Sequence, residues 1–119
     1  MSVLENFKKL KAEGKKIVVV TSYDYWSAKI LNETDVSGIL IGDCSSMVMH
    51  GHGDTLSSDV ETIAMHTRAV RKGAKDKFLI AAMPFMSNRK SFEESMDNVE
   101  ILMKAGANAL KIEGVDGNE

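Results

Sequence analysis

The sequence predicts an α/β fold in which helices and strands alternate along the chain and the strands form one parallel sheet. Four short apolar runs are separated by segments with helical periodicity. No Asn-Gly or Asp-Gly pair lies between these runs to indicate a hairpin. Strands that alternate with helices favour right-handed crossovers. Four such strands could form a small doubly wound sheet or the first half of a TIM-type (β/α)₈ barrel.

The predicted strands are the apolar runs, each of which ends at small, polar or acidic residues. Their ranges are Ile17–Thr21, Val36–Asp43, Phe78–Met83 and Ala107–Ile112. The second run is rich in β-branched residues, which is typical of a strand buried on both faces. Pro84 ends the third strand because proline lacks the N–H group that extends a ladder.

Helical spacing of apolar residues predicts four helices. A short first helix carries Val3, Leu4, Phe7 and Leu10 and ends at Gly14, and a second spans Tyr25 to Glu33. The third and fourth each follow a capping box, in which Ser58 and Glu61, and Ser91 and Glu94, are three residues apart. We expect the third helix to end at Gly73 and the fourth near Gly106. The inward residues are then predicted to be Val60, Ile63, Ala64 and Val70 in the third, and Phe92, Met96, Val99 and Met103 in the fourth.

Composition restricts the class of protein. The 119 residues are 44% hydrophobic and 27% charged, with a net charge of −2 and no basic stripe that would indicate nucleic-acid binding. The apolar runs are too short to span a bilayer, and the amphipathic N-terminus does not resemble a signal peptide. One cysteine, Cys44, cannot form an internal disulfide, so we expect a cytoplasmic protein. We expect one partial barrel domain over residues 1–119, cut short after its fourth strand.

Polar residues at the ends of the strands predict a site for a cation and an anionic substrate. Asp43 follows the second strand, and Lys111 and Glu113 lie at the end of the fourth. Carboxyl ends of parallel strands share one edge, and one or two carboxylates suffice for Mg²⁺, which keeps several waters. We therefore predict Asp43 and Glu113 as metal ligands and Lys111 as the contact for a substrate carboxylate. Two structural alternatives are a buried Lys111–Glu113 salt bridge and a helix-cap or turn role for Asp43.

The histidines and the cysteine give further hypotheses. His50 and His52, with Asp54 behind them, could bind a transition metal, although a glycine-bearing loop does not guarantee that geometry and no fourth ligand is evident. His66 lies near the apolar face of its helix, which favours a packed or hydrogen-bonded histidine. Cys44 has no histidine partner in the sequence, which argues against a thiol nucleophile.

Five runs of residues, in order, resemble the ketopantoate hydroxymethyltransferase family. These are TSYDYWSAKI, GILIGDCSSMVMHGHGDTL, HTRAVRKGA, AAMPFM and AGANALKIEG, and they match the N-terminal half of such enzymes. The resemblance implies a (β/α)₈ barrel of the phosphoenolpyruvate mutase/isocitrate lyase-like group, assembled as a homodecamer. It implies transfer of a hydroxymethyl group from 5,10-methylenetetrahydrofolate to 3-methyl-2-oxobutanoate, through a Mg²⁺-stabilised enolate, in pantothenate biosynthesis.

The resemblance also implies roles for individual residues. Asp43 matches the family's first metal ligand and Glu113 the carboxylate at the metal site. Lys111 matches the lysine that contacts the ketoacid, and Cys44 falls where a substrate-contacting serine is usual. The family's catalytic base is a glutamate in the second half, so no catalytic residue is expected here. The family's second metal aspartate corresponds to Ala82, which offers no side-chain oxygen.

Two other hypotheses are compatible with these residues. A related metal-dependent carbon–carbon lyase would carry a Lys-Lys-Cys-Gly loop, which the sequence lacks. A degenerate half-barrel with a binding or assembly role is favoured by Ala82, whereas intact Asp43, Lys111 and Glu113 argue against it. Because a half-barrel exposes two sheet edges, we expect a homo-oligomer.

Overall fold

The computed structural model describes residues 2–114, which form five helices and four strands. The helices are α1 (Val3–Ala12), α2 (Tyr25–Asn32), α3 (Ser45–Val48), α4 (Val60–Gly73) and α5 (Phe92–Lys104). The strands are β1 (Val19–Thr21), β2 (Gly38–Ile41), β3 (Phe78–Ala82) and β4 (Ala109–Lys111). Each strand predicted from the sequence is present but shorter than predicted.

The strands form one parallel sheet in the order β1-β2-β3-β4. Strand order follows chain order throughout, and no strand reverses direction. A doubly wound sheet would instead reverse its strand order at a switch point. The sequential order is that of consecutive strands in a (β/α)₈ barrel, which confirms the α/β half-barrel prediction.

The core lies between the sheet and a layer made by α2, α4 and α5. Helix α4 is central in this layer and packs against both α2 and α5. Ile39, Ile41 and Leu79 are fully buried on the strands, where they join Ile63 and other residues of α4 and α5 in one apolar cluster. These strand residues alternate with half-buried ones because successive side chains point to opposite faces of a sheet.

Helix α1 contributes Phe7 to the amino end of the sheet. The Phe7 ring lies 4.4 Å from the ring of Phe78, between their centroids. A Cβ atom added at Gly38 would lie 3.1 Å from Phe7 and 3.0 Å from the carbonyl oxygen of Phe78. Glycine at position 38 therefore allows α1 to pack against the amino end of the sheet. Helix α1 does not cover the carboxyl end.

Arg71, on α4, forms hydrogen bonds with the loops at the amino end of the sheet. Its guanidinium donates hydrogen bonds to the carbonyl oxygens of Ala74, Lys77 and Gly106 and to the side chain of Asn108. Burial lowers the pKa of Arg71 from its usual value, with Asp76 opposing the shift. One half-buried guanidinium thus satisfies several carbonyl oxygens of the loops that precede β3 and β4.

The start of α4 differs from the prediction. The residue at its N-cap is Asp59, whose carboxylate accepts a hydrogen bond of 2.8 Å from the N–H of Thr62. Ser58, predicted to be the cap, is buried and its hydroxyl has no hydrogen-bond partner among the described residues. Asp and Ser cap helices about equally well, so an adjacent pair leaves the register of the first turn undecided in the sequence. The second predicted cap, Ser91, is confirmed.

The predicted inward face of α5 is largely wrong. Phe92 is 82% exposed, and Met96 and Met103 are also exposed. The helix buries Leu102 completely and Val99 partly. Its sequence carries two apolar stripes, and packing against α4 selects the one that contains Leu102.

The long loop predicted after β2 also contains the short helix α3.

No helix in the described part of the chain, residues 2–114, is both long and apolar enough to cross a membrane.

Gly73 provides a test of the α2–α4 packing. A Cβ atom at this position would lie 2.6 Å from the carbonyl oxygen of Tyr25 and 2.8 Å from the Cβ of Ala28. We expect Gly73→Ala to lower the free energy of unfolding in urea by about 1–3 kcal/mol, because the two helices must separate. Gly53→Ala is the matched control, since nothing lies within 4 Å of an added Cβ there. Equal stability of the two variants would contradict this packing.

Candidate active site at the carboxyl ends of the strands

Asp43 and Glu113 line one cavity beyond the carboxyl ends of β2 and β4. The cavity has a volume of about 190 Å³. Its other walls come from the loop after β3 and from Thr55 in the loop before α4; the residues from the β3 loop are Met83, Pro84, Phe85, Met86, Asn88 and Arg89. Two carboxylates on one small cavity provide the oxygen ligands that Mg²⁺ prefers. The structure therefore brings together the two residues that the sequence predicts as metal ligands.

Asp43 occupies the turn between β2 and α3. The backbone carbonyl oxygen of Asp43 accepts a hydrogen bond from the N–H of Ser46, and the N-cap residue of α3 is Cys44. The helix-cap alternative for Asp43 is therefore wrong, although the residue does lie in a turn. Its half-buried side chain reaches the cavity instead.

Lys111 and Glu113 form an ion pair with 3.2 Å between Nζ and Oε1. The side chain of Lys111 is 41% exposed and that of Glu113 is 75% exposed, so the alternative of a buried salt bridge is wrong. Exposed pairs of this kind contribute about 0–1 kcal/mol to stability because water already solvates both charges. Either partner can consequently exchange this contact for a ligand at low cost.

Ala82 is the direct neighbour of Lys111 in the β3–β4 ladder. Only 2% of Ala82 is exposed, and its methyl group offers no ligand atom to a cation. Within residues 2–114, no group of three or more His, Cys, Asp or Glu side chains is arranged to hold a metal. Any divalent cation bound by the cavity would thus have two carboxylates at most and would keep several waters.

Tyr23 contacts Cys44, an interaction that the sequence does not predict. The phenol oxygen lies 2.9 Å from the Cys44 Sγ atom. Burial raises the pKa of Tyr23 well above its ordinary value of 10.0, and the hydrogen bond with Cys44 and the charge of Asp43 raise it further. A Cβ atom at Gly42 would meet both groups, at 3.1 Å from Sγ and 3.6 Å from the phenol oxygen. The loops after β1 and β2 therefore meet at Cys44, beside Asp43.

The histidines do not adopt the arrangement considered from the sequence. His50 Nε2 lies 2.9 Å from the Nε2 of His66, and no three metal-binding side chains among residues 2–114 are grouped to hold an ion. His66 Nδ1 lies 2.7 Å from the carbonyl oxygen of Tyr23 and can only donate to it. A His50–His52–Asp54 metal site is therefore wrong, and the prediction that His66 is packed and hydrogen-bonded is confirmed, since it is 7% exposed.

A larger cavity of about 500 Å³ lies beside α1, at the opposite end of the sheet. Lys15, Lys16 and Asp35 are among the residues that line it. It is remote from Asp43 and Glu113, and parallel α/β folds place their reactive groups at the carboxyl ends of the strands. The smaller cavity is therefore the candidate active site.

The fold and this site define an α/β scaffold of the (β/α)-barrel type with acidic groups at its carboxyl rim. Two solved structures share the fold. One is a phosphonopyruvate hydrolase complexed with oxalate and Mg²⁺, with a TM-score of 0.78 and 15% identity, covering 100% of this chain and 41% of that one. The other is 2,3-dimethylmalate lyase of the phosphoenolpyruvate mutase/isocitrate lyase superfamily, with a TM-score of 0.69 and 13% identity, covering 94% and 39%.

A sequence model of ketopantoate hydroxymethyltransferase matches residues 2–118, so the chain belongs to this family. Similar proteins include the 3-methyl-2-oxobutanoate hydroxymethyltransferases of Coxiella burnetii, 50% identical over 113 residues, and of Bdellovibrio bacteriovorus, 47% identical over 118 residues. The matches cover 95% and 99% of this chain but 42% and 45% of the relatives. The chain thus spans less than half the length of these relatives.

Titration of Tyr23 tests the surroundings of its phenol, which is part-buried and in contact with Cys44. A Tyr25→Phe variant retains one tyrosine, and its absorbance at 295 nm reports phenolate formation. We expect the midpoint to lie above pH 10, because burial and Cys44 favour the neutral phenol. The contribution of neutral Tyr23 to the free energy of unfolding is fully present below the pKa of the unfolded state. It is lost as the pH rises from that value through the pKa of the folded state. The double variant Tyr23→Phe/Tyr25→Phe supplies the blank. A midpoint at or below pH 10 would contradict the raised pKa of Tyr23.

Proposed function

We propose that this chain supplies the ketoacid- and metal-binding part of a 3-methyl-2-oxobutanoate hydroxymethyltransferase. The reaction transfers a hydroxymethyl group from 5,10-methylenetetrahydrofolate to 3-methyl-2-oxobutanoate and gives 2-dehydropantoate. The observation that carries the proposal is the shared cavity of Asp43 and Glu113, with Lys111 bound to Glu113 at its edge. Family membership and relatives with this activity support the same reaction class.

Lys111 binds the carboxylate of the ketoacid in this proposal. Its ammonium group already lies 3.2 Å from a carboxylate oxygen of Glu113, so the position accepts a carboxylate. Because the existing pair is exposed and weak, a substrate carboxylate can replace Glu113 as the partner. The displaced Glu113 side chain would then be available to the cavity that it lines.

The cavity fits a Mg²⁺ ion held by Asp43 and Glu113. Mg²⁺ is commonly bound through one or two carboxylates and retains water in its other positions, which suits a cavity of about 190 Å³ with two acidic groups. When bound, the ion would polarise the keto oxygen and stabilise the negative charge that develops when C3 loses a proton. Ala82 leaves the site without a third carboxylate, so we expect weak binding of the metal.

Cys44 contacts the ketoacid beside Asp43, and Tyr23 holds its thiol. A phenol is neutral at physiological pH, and burial raises the pKa of Tyr23 further, so its O–H can donate to the sulfur. A thiol fixed next to Asp43, which does line the cavity, would restrict where the substrate can lie. The chain contributes this positioning and no covalent chemistry.

We propose that the general base that removes the C3 proton is not among the residues of this chain. Such a base must lie within hydrogen-bond reach of that proton. The matched relatives are more than twice as long as the chain, which covers 42% of the Coxiella burnetii protein. We place the base, and the folate contacts, in the part of those relatives that this chain does not match.

We further propose that residues 1–119 belong to a single partial barrel domain, that the protein is a homo-oligomer and that it lies in the cytoplasm.

Substitution of Lys111 tests the proposed ketoacid contact. We expect Lys111→Ala to weaken binding of 3-methyl-2-oxobutanoate, measured by calorimetry, by about ten- to a hundredfold, because a charge-assisted hydrogen bond is lost. Lys104→Ala is the control, since Lys104 pairs with Glu100 on the exposed surface of α5. The proposal fails if the wild-type chain does not bind the ketoacid or if both variants bind it equally well.

An assay of hydroxymethyl transfer tests the placement of the base. The chain with Mg²⁺, 5,10-methylenetetrahydrofolate and ketoacid is expected to bind substrate without turnover. Turnover is expected when the C-terminal portion of the Coxiella burnetii relative is added. Full activity of the chain alone would show that the base lies within it.

Introducing an acidic residue at position 82 tests the account of the metal. We expect Ala82→Asp to raise Mg²⁺ affinity about tenfold, because position 82 adjoins Lys111 in the ladder and a third oxygen ligand would replace a water. Calorimetric titration with Mg²⁺ measures the change, and Asp43→Asn in the same background should abolish the gain. Unchanged affinity in a folded Ala82→Asp variant would contradict the proposed site.

A further inference from the structure

His50 and His66 converge outside the carboxylate cavity, and we propose that they form a separate binding site for a transition metal ion such as Zn²⁺. Their Nε2 atoms are 2.9 Å apart, and their ring centroids are 5.2 Å apart. Neither histidine lines the cavity of Asp43 and Glu113. The proposal is independent of the function assigned to that cavity.

His66 is oriented as a metal ligand. Its Nδ1 lies 2.7 Å from the carbonyl oxygen of Tyr23, which only accepts hydrogen bonds, so Nδ1 carries the proton. The lone pair of the neutral ring is consequently on Nε2, which faces His50. Histidine ligands of metals commonly donate the other ring N–H to a backbone carbonyl, which fixes the tautomer and the ring plane. Helix α4 and the near-complete burial of His66 hold this ring in place.

His50 approaches from an ordered turn that follows α3. The N–H of Gly51 donates to the carbonyl oxygen of Met47, and that of His52 donates to Ser46. Gly51 adopts a φ of 75°, a left-handed conformation that few other residues tolerate, and this directs the turn. His50 is itself exposed, so water can reach the site and complete the coordination of an ion.

The spacing of the two nitrogens suits one metal ion between them. Zn–N bonds of about 2.0–2.1 Å at a tetrahedral angle place two nitrogens about 3.3 Å apart, slightly more than the observed separation. The ion would take the place of the proton that His50 Nε2 shares with His66, and His50 would carry that proton on Nδ1. Imidazole pairs suit Zn²⁺, Ni²⁺ and Cu²⁺ rather than Mg²⁺, so the two sites differ in the metal that each prefers.

Coordination by two imidazoles makes this a weak, accessible site. The part of the chain described here, residues 2–114, holds no group of three metal-binding side chains, so water fills the remaining positions. The bound ion would join the loop after α3 to α4, and through the Tyr23 carbonyl to the loop after β1. We therefore expect the ion to raise the melting temperature of the chain.

Zn²⁺ titration in the presence of saturating Mg²⁺ tests the proposal, because Mg²⁺ occupies oxygen ligands and leaves imidazoles available. We expect one Zn²⁺ per chain, and at least about a tenfold loss of affinity in His50→Gln. His52→Gln is the matched control and should bind as the wild type does. With Cu²⁺ as the probe, electron paramagnetic resonance should show coupling to two nitrogens in the wild type and to one in His50→Gln.

Three results would overturn the proposal. They are the absence of Zn²⁺ binding by the wild-type chain, unchanged binding by His50→Gln, and loss of binding in His52→Gln alone. Because His50 is exposed, its substitution does not disturb the core, and retention of the helical circular dichroism spectrum verifies this. An Asp43→Asn variant that still binds Zn²⁺ separates this site from the carboxylate cavity.

Discussion

The parallel register of β2, β3 and β4 is the constraint on which the candidate site depends. Pairing of Ile41 with Ala81, and of Ala82 with Lys111, brings the ends of three strands to one edge. Asp43 and Glu113 each lie two residues beyond the end of a strand, so the ladder sets their separation. A shift of one residue would turn every side chain of a strand to the other face and disperse the site.

The burial of the helix layer keeps this register in place. Leu79, Ile39 and Ile41 are fully buried beneath α4, and Gly73 permits α2 to approach it closely. Phe7 closes the amino end of the sheet. Apolar packing therefore fills one face and one end of the sheet, and the polar groups collect at the other end, where water and ligands have access.

The sequence predicts the parallel sheet well because a buried strand and an amphipathic helix have different periodicities. It also predicts that Asp43 and Glu113 share an edge, since strand ends follow from the strands. It does not resolve whether Ser58 or Asp59 caps α4, because both residue types satisfy the same N–H groups. Nor does it select between the two stripes of α5, since only the packing against α4 buries Leu102 and exposes Phe92.

Contacts between residues that are far apart in the sequence cannot be predicted from sequence patterns. Tyr23 and Cys44 are 21 residues apart, and His50 and His66 are 16 apart, so neither pair has a local spacing that marks it. The exposure of the Lys111–Glu113 pair is also a tertiary property, because alternation shows only that both side chains point to one face. That exposure makes Lys111 a replaceable partner of Glu113, which the proposed ketoacid contact requires.

The most direct test of the candidate site is a crystal structure of the chain with 3-methyl-2-oxobutanoate and Mg²⁺. We expect the ketoacid in the cavity of Asp43 and Glu113, with its carboxylate within hydrogen-bond distance of Lys111 Nζ and the ion beside the two acidic side chains. A ketoacid bound elsewhere, with Lys111 still paired to Glu113, would contradict this account.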